Sequence, residues 1–427
     1  MIRRTDVELN DDQLETLLYG SNLGRNADIA DLISVINEID GSFSIFLDGK
    51  WGSGKTYFVK QTKIILHALN DKLKDSRKNK IREIGEFKYI SLSGNYYPVY
   101  YNAWKHDSDM DPLISLIGTL VSEMEDWNRK IGKDKWKAVC EAFSSLLGII
   151  GINVDIQKIR NALGNDILEP FDREMEIRKK FEGLIDILVE GRAEKLVLFI
   201  DELDRCSPAF AMKLLERIKF IFGYEKIIVI FSTNVEQLNN MVKKLYGEKT
   251  DGYAYLSRFY DMKFHIRSIG GIEYISALVG AEDRSAWLST TVMEMTENFT
   301  LRDCNRYLQE IERHLELKKE LGTKGTYYRG PTVPTFFWHI LVPILLAIKM
   351  EDPLLYQKII NGTDSKSFEQ KVQSTRVYHL AREGLMASSG MSLYDVYNEC
   401  FSDHSSATSF RSCALKFISK DITNQKT

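Results

Sequence analysis

The eight residues Gly49-Lys50-Trp51-Gly52-Ser53-Gly54-Lys55-Thr56 constrain this chain more than any other stretch, because they meet the pattern G-x-x-x-x-G-K-[ST] without a mismatch. Average residue usage produces such a string in roughly one or two of every hundred chains of this length, so its surroundings decide its meaning. An apolar, strand-like run, Phe43–Leu47, stands just before it, and a helical pattern opens at Thr56. Strand, loop and helix are the context in which the pattern makes a phosphate cradle. The glycines let backbone N–H groups turn inward around a phosphate, and the helix N-terminus adds a favourable dipole. Gly49, Trp51, Gly52, Ser53 and Gly54 are then loop residues at the ligand, Lys55 reaches the β- and γ-phosphates, and the Thr56 hydroxyl ligates Mg²⁺.

Short apolar runs alternate with longer helical patterns over the first two thirds of the chain. Predicted strands are Phe43–Leu47, Val99–Asn102, Leu196–Ile200, Ile227–Phe231 and Met262–Ile266. Predicted helices are Thr56–Asn70, Pro112–Arg129, Phe171–Val189, Ala209–Phe220 and Val235–Leu245. Several strands are continuous apolar runs, as suits burial on both faces of a parallel sheet. The expected fold class is therefore α/β: a doubly wound, mostly parallel sheet with a helical insertion at about 110–190 and a helical C-terminal region. Residues 1–40 read as a helical lead-in, 41–268 as the nucleotide-binding core, and 269–427 as a helical lid and C-terminal region. The charged segment Lys72–Lys88 reads as a solvated connection.

Charge and cysteine content exclude several classes. Lys plus Arg number 57 against 60 for Asp plus Glu, a net charge of -3. That balance argues against a surface built to coat nucleic acid, while a local basic patch stays open. Five scattered cysteines without a CxxC pair are no disulfide framework and suit reduced, cytoplasmic thiols. The start, MIRRTDVELNDDQ, lacks the apolar segment of a signal peptide. Val333–Ile348 is the strongest apolar stretch, but it is short and carries His339 and Pro343, and Val139–Val154 is weaker. Buried helices fit both better than integral spans, with peripheral membrane contact left open.

A phosphate cradle needs a second strand that delivers a carboxylate to the metal. LVLFIDELDRC does so: Asp201 ends the apolar run and suits the Mg²⁺ shell, and Glu202 suits the general base that polarises water. Asp204 and Arg205 either shape the site or a subunit contact, or pair with each other on the surface. After the strand IIVIF, Thr233 or Asn234 senses the γ-phosphate, caps the following helix, or does both. Arg258 has two readings, a finger toward a neighbour's nucleotide or a plain ion pair. Arg302 has the same choice, on a helix whose stripe is Leu301, Cys304, Leu308 and Ile311 behind a Thr300/Asp303 capping pair. No NKxD-type guanine reader follows the cradle, so ATP is expected over GTP.

Together these residues resemble the KAP family of P-loop NTPases. The stretch LGRNADIADLISVI…FSIFLDGKWGSGKTYFV, the segment YNAWKHD, the strand IDELDRC, and the later YLSRFYDMKF and FTLRDCNRYL all look like that family's landmarks, over roughly Gly24 to Leu308. Many members carry transmembrane helices between cradle and acidic strand, where this chain has only Val139–Val154. The resemblance implies an ATPase that works as a nucleotide-driven switch through a homo-oligomer or a partner effector. Bacterial members are associated with phage exclusion and animal members with membrane signalling, so a scaffold with little turnover and a nucleic-acid-stimulated ATPase are the alternatives.

Overall fold

Five strands form one sheet in the order β2-β3-β4-β1-β5, and every neighbouring pair is parallel. They are β1 (Phe43–Asp48), β2 (Tyr96–Asn102), β3 (Lys195–Asp201), β4 (Ile227–Thr233) and β5 (Met262–His265). A computed structural model of the chain describes residues 25–108, 111–128, 170–219, 223–267, 269–274, 287–315, 331–402 and 408–425. Val139–Val154 lies outside the described residues. The described residues divide into two compact units, the first ending at Arg267.

In the first unit the apolar runs of β1 to β4 are buried on both sheet faces, as strands inside an all-parallel sheet require, while the edge strand β5 is only half-buried. Alternate residues of each strand serve opposite faces. Leu196, Leu198, Ile200, Val229 and Phe231 join one core with the helices Pro112–Asn128, Pro170–Val189 and Pro208–Lys219. Val197, Phe199, Ile228 and Ile230 join the other with the helices Arg25–Glu38 and Lys55–Leu69. Fully burying each such side chain contributes about 1.5–3 kcal/mol, so both faces are strongly specified. The strand β4 lies between the cradle strand β1 and the acidic strand β3.

Lys72–Lys88 is not a plain solvated loop. It contains the helix Lys78–Glu83, with Ile81, Ile84 and Phe87 buried in the second core. Asp75 binds both His67 Nδ1 and Arg77 NH2 at 2.6 Å, which holds the turn in place and keeps the Asp75 carboxyl well below the usual range against burial's upward push. The spacing of three between those apolar residues is hidden among the charges.

The second unit has no strand among its described residues. Thr300, Thr332, Asp352, Asp364, Thr375 and Ser392 each start a helix by accepting the N–H three residues on, worth about 1 kcal/mol apiece. The stretch Val333–Glu351 is long and apolar enough to cross a membrane by length and composition, yet 61% of an 18-residue apolar window within it is buried inside the protein. It widens to a π turn at Phe337–Leu341, just before Pro343, which offers no N–H and crowds the carbonyl of His339. In the helix Leu301–His314 the buried stripe is Cys304, Tyr307, Ile311 and His314, while Leu301 and Leu308 are half-buried. Polar rings can face inward there because Tyr307 donates to the Pro343 carbonyl at 2.8 Å and His314 Nδ1 lies 2.9 Å from the Glu310 carbonyl.

Candidate active site

Strand register assembles the site. Asn102 stands opposite Asp201, Asp201 opposite Ser232, and Asp48 opposite both Thr233 and His265. Each apolar run thus ends in a polar residue at the same level, the carboxyl edge where crevices form in parallel sheets.

The loop after β1 rises from this edge. Gly49 donates its N–H to the Thr233 carbonyl at 3.2 Å, tying the loop's start to β4. Gly52 and Gly54 have φ of 77° and 87°, left-handed values that a side chain resists. A Cβ on Gly49 would meet Ser53 Oγ at 2.8 Å, so a side chain there would displace the Ser53 hydroxyl. The helix Lys55–Leu69 starts at Gly54 without a side-chain cap, leaving first-turn N–H donors and the dipole directed at the loop. Arg25, buried at the start of the first helix, donates to the Ser53 carbonyl at 2.5 Å and to the Arg267 carbonyl at 2.6 Å. Sequence reading did not single it out.

Lys55 is buried over the loop, its Nζ donating to the Gly49 carbonyl at 2.5 Å and the Lys50 carbonyl at 3.2 Å. Burial pushes its pKa down, opposed by the nearby carboxylates of Asp204, Asp201 and Asp48. Asp204, only 3% exposed, lies 3.9 Å from Lys55 Nζ and accepts from Trp51 Nε1. Burial raises its pKa, while Lys55 and Trp51 hold it down. Of the two readings for this residue, shaping the site is the one the structure supports. Arg205 pairs with Glu202, not with Asp204.

Asp201 is 1% exposed, and both its oxygens are engaged: Oδ1 by the Glu202 N–H at 2.9 Å, Oδ2 by the Tyr100 hydroxyl at 3.0 Å. Glu202 is the one non-glycine residue with positive φ (62°) among the described residues, a strain of roughly 1–3 kcal/mol that gathers at functional positions. Its Oε2 accepts from Asn102 Nδ2 at 3.1 Å, and its Oε1 lies 3.0 Å from Arg205 NH1. Burial pushes the Glu202 carboxyl up, and Arg205 opposes the shift. Tyr100 and Asn102 were missed as site residues, because an aromatic-rich strand gives no sign of which end faces a carboxylate 100 residues later.

At the end of β4, Asn234 caps the helix Val235–Tyr246 by accepting from the Gln237 N–H at 3.2 Å. Asp48 Oδ1 accepts from the Val235 N–H at 3.0 Å, and Oδ2 lies 3.4 Å from His265 Nδ1. The hydroxyls of Ser53, Ser232 and Thr233 are buried with no protein partner. Buried hydroxyls beside a glycine loop and a lysine fit a ligand rich in oxygen, such as a polyphosphate with its magnesium. Thr56 is the second residue of the helix Lys55–Leu69, in its first turn beside the same loop.

The two arginines stand on other elements. Arg258 is exposed on the turn Ser257–Phe259 that leads to the amino end of β5, with its guanidinium 6.0 Å from the Tyr255 ring centroid. That is the opposite end of the strand from the cradle. Arg302 is exposed in the first turn of Leu301–His314, in the second unit.

The chain matches a family model described as the KAP family P-loop domain over residues 25–315, a span containing every residue of the candidate site. No curated protein matches the chain.

Proposed function

The chain belongs to the KAP family of P-loop NTPases, and from that premise we propose that it binds ATP with Mg²⁺, hydrolyses it, and uses turnover as a switch. What carries the reading is the row at the sheet's carboxyl edge, where Asp48, Thr233 and Asp201 stand level with the root of the glycine loop and its buried Lys55. Lys55 exchanges the Gly49 and Lys50 carbonyls for β- and γ-phosphate oxygens, a stronger charge-assisted contact. Thr56 and Asp201 are the residues that would hold Mg²⁺, which when bound neutralises charge on the phosphate oxygens. Glu202 takes a proton from the attacking water, and its upward-shifted carboxyl makes it a stronger base than an exposed glutamate. Thr233 supplies a hydroxyl toward the γ-phosphate, with Asn234 occupied as a helix cap.

In this reading Arg258 serves a neighbouring copy's nucleotide and Arg302 acts from the lid. The output is the state of a homo-oligomer or of an effector protein, in the cytoplasm, with anti-phage defence as the biological setting. A second reading, an ATP-holding scaffold with little turnover, is favoured by one observation: Arg205 occupies Glu202 Oε1.

The test is steady-state turnover with Mg²⁺-ATP, alone and with DNA, RNA or liposomes, beside a mass measurement of the assembly. Turnover lost in Lys55→Ala supports the proposal. Turnover at the normal rate in that variant overturns it.

A further inference from the structure

The amino end of β5, opposite the cradle, carries a face to which the reading above gives no ligand. It is built from the end of the helix Val235–Tyr246, the short helix Gly252–Leu256, the turn Ser257–Phe259 and the start of β5. Tyr246 and Tyr253 are each 48% exposed there. The Tyr246 ring leans on Tyr255, with 5.1 Å between centroids, and Tyr255 on Phe259 at 5.4 Å, so the exposed ring is supported from behind. Tyr246 and Tyr255 both donate their hydroxyls to Glu216 Oε1, at 3.2 and 2.8 Å, which anchors the polar tip of Tyr246 and leaves its ring to solvent.

Cations stand among these rings. Lys219 Nζ is 5.6 Å from the Phe259 centroid, and Lys263 Nζ is 5.7 and 5.0 Å from those of Tyr253 and Tyr260. Lys244 and Lys249 are exposed on the end of the helix and the turn after it. No carboxylate pairs with any of these four lysines among the described residues. The nearby acids are engaged elsewhere: Glu216 with the two hydroxyls, Asp251 with the Ala254 N–H at 3.0 Å, and Asp261 with the Ser44 N–H and hydroxyl at 2.8 and 2.7 Å. That leaves the exposed Glu248 to set against four lysines.

We infer that this face binds single-stranded nucleic acid, with bases stacked on Tyr246 and Tyr253 and backbone phosphates at Lys219, Lys244, Lys249 and Lys263. Every base has a π-face, so exposed rings interleaved with cations take a strand without reading its sequence. A net charge of -3 over the whole chain does not oppose this, because the excess of cations is local. An acidic peptide would use the lysines and leave the rings idle. A membrane surface would need aliphatic side chains to insert, and among the described residues of this face Leu245 is the large one exposed. The phosphates fall to the four lysines, which leaves Arg258 to a neighbouring copy.

The test is fluorescence anisotropy of a labelled oligothymidylate of about 20 nucleotides, and of its oligouridylate counterpart, with the full chain. The parent binds both saturably, about 50-fold more weakly at 200 mM salt than at 50 mM, from roughly 0.7 counterions released at each of four phosphates. Tyr246→Ala and Tyr253→Ala each weaken binding by about 5- to 150-fold, whereas Tyr253→Phe keeps the ring and binds as the parent does. Removing a ring can also unsettle the fold, so Lys244→Gln and Lys249→Gln, both exposed, are combined in a second variant. Its salt dependence flattens to about 7-fold over the same range. No saturable binding by the parent at the lower salt overturns the inference. So does a duplex of the same length bound as tightly as the single strand, since paired and stacked bases offer the rings no face. Tighter binding of an oligoglutamate, or of vesicles rich in phosphatidylserine, weakened by the same substitutions, overturns it and assigns the face to that partner.

Discussion

Trp51 Nε1 donates to Asp204 Oδ2 at 2.5 Å, joining the glycine loop to the turn after β3 across 153 positions of sequence. Asp204 is the carboxylate nearest Lys55 as well, so one buried group organises the loop's aromatic and its cation together.

Replacing Trp51 with Phe leaves that carboxylate short of a donor, at a cost of about 1–3 kcal/mol. The sign with pH follows from Asp204's raised pKa. The donor favours the ionised form, so the loss is full while Asp204 is ionised in both proteins and shrinks as pH falls and the carboxyl protonates. Urea denaturation of Trp51→Phe and the parent, from pH 7.5 downward through the range in which carboxylates protonate, measures this. A deficit that stays constant over that whole range contradicts the assignment.

Lys55→Ala should lose about 3–4 kcal/mol of ATP binding, roughly 100-fold or more, because a buried cation that faces the phosphates is removed. Calorimetric titration checks this, and undiminished heat refutes it.

Glu202 combines positive φ with a base's role, so two substitutions separate strain from chemistry. Glu202→Gln should keep ATP affinity and lower turnover by roughly 10²–10⁴-fold. Glu202→Gly should also be inactive, yet gain about 1 kcal/mol of stability by relieving the backbone at φ 62°. A lower thermal midpoint for the glycine variant would count against strain at this position.

Arg25 holds the carbonyls of Ser53 and Arg267 with charge-assisted bonds. Arg25→Met should destabilise the first unit by about 3 kcal/mol and weaken ATP binding through a looser loop. Denaturation and calorimetry on one preparation test both effects, and stability within 0.5 kcal/mol of the parent would be inconsistent with the estimate of about 3.

His314 is buried in the second unit, with Nε2 3.8 Å from Asp421 Oδ1 and no hydrogen-bond partner. Lys349 and Tyr356 already hold Asp421, at 2.6 and 2.9 Å. Burial lowers the His314 pKa, with Lys349 acting in the same sense and the Glu310 carbonyl and Asp421 opposing. A histidine whose folded pKa lies below its unfolded one binds more protons when unfolded. Its contribution is therefore complete above about pH 6.5 and is lost as pH falls from there through the folded value. His314→Gln should flatten the stability–pH slope in that window. An unchanged slope would assign it to other groups.

Much of the fold was legible because its signals are local. Apolar runs of strand length ended where the strands end, to within about three residues, and the glycine loop announced itself by composition alone. Asp201 could be read because an apolar run ending in an acid is visible in one dimension. Asn234 could be read as a cap for the same reason. Asp204 left two readings open, since a buried aspartate looks the same in sequence as an exposed one. The stripe on Leu301–His314 was misplaced by about one residue, because Tyr307 and His314 read as polar until a carbonyl satisfies each.

By itself, then, the amino-acid order determined the alternation of strands and helices, the phosphate-binding loop and the acid that ends β3. Only the tertiary structure decided that Asn102, Asp201, Ser232, Thr233 and Asp48 share one edge, that Asp204 faces Lys55 and Trp51, and that Arg205 turns to Glu202. The physical reason is range. Backbone propensity and hydrophobic periodicity act over a few residues, whereas parallel register and the partner of a buried charge are settled between segments a hundred or more positions apart, by which packing leaves the fewest ionic groups unmatched.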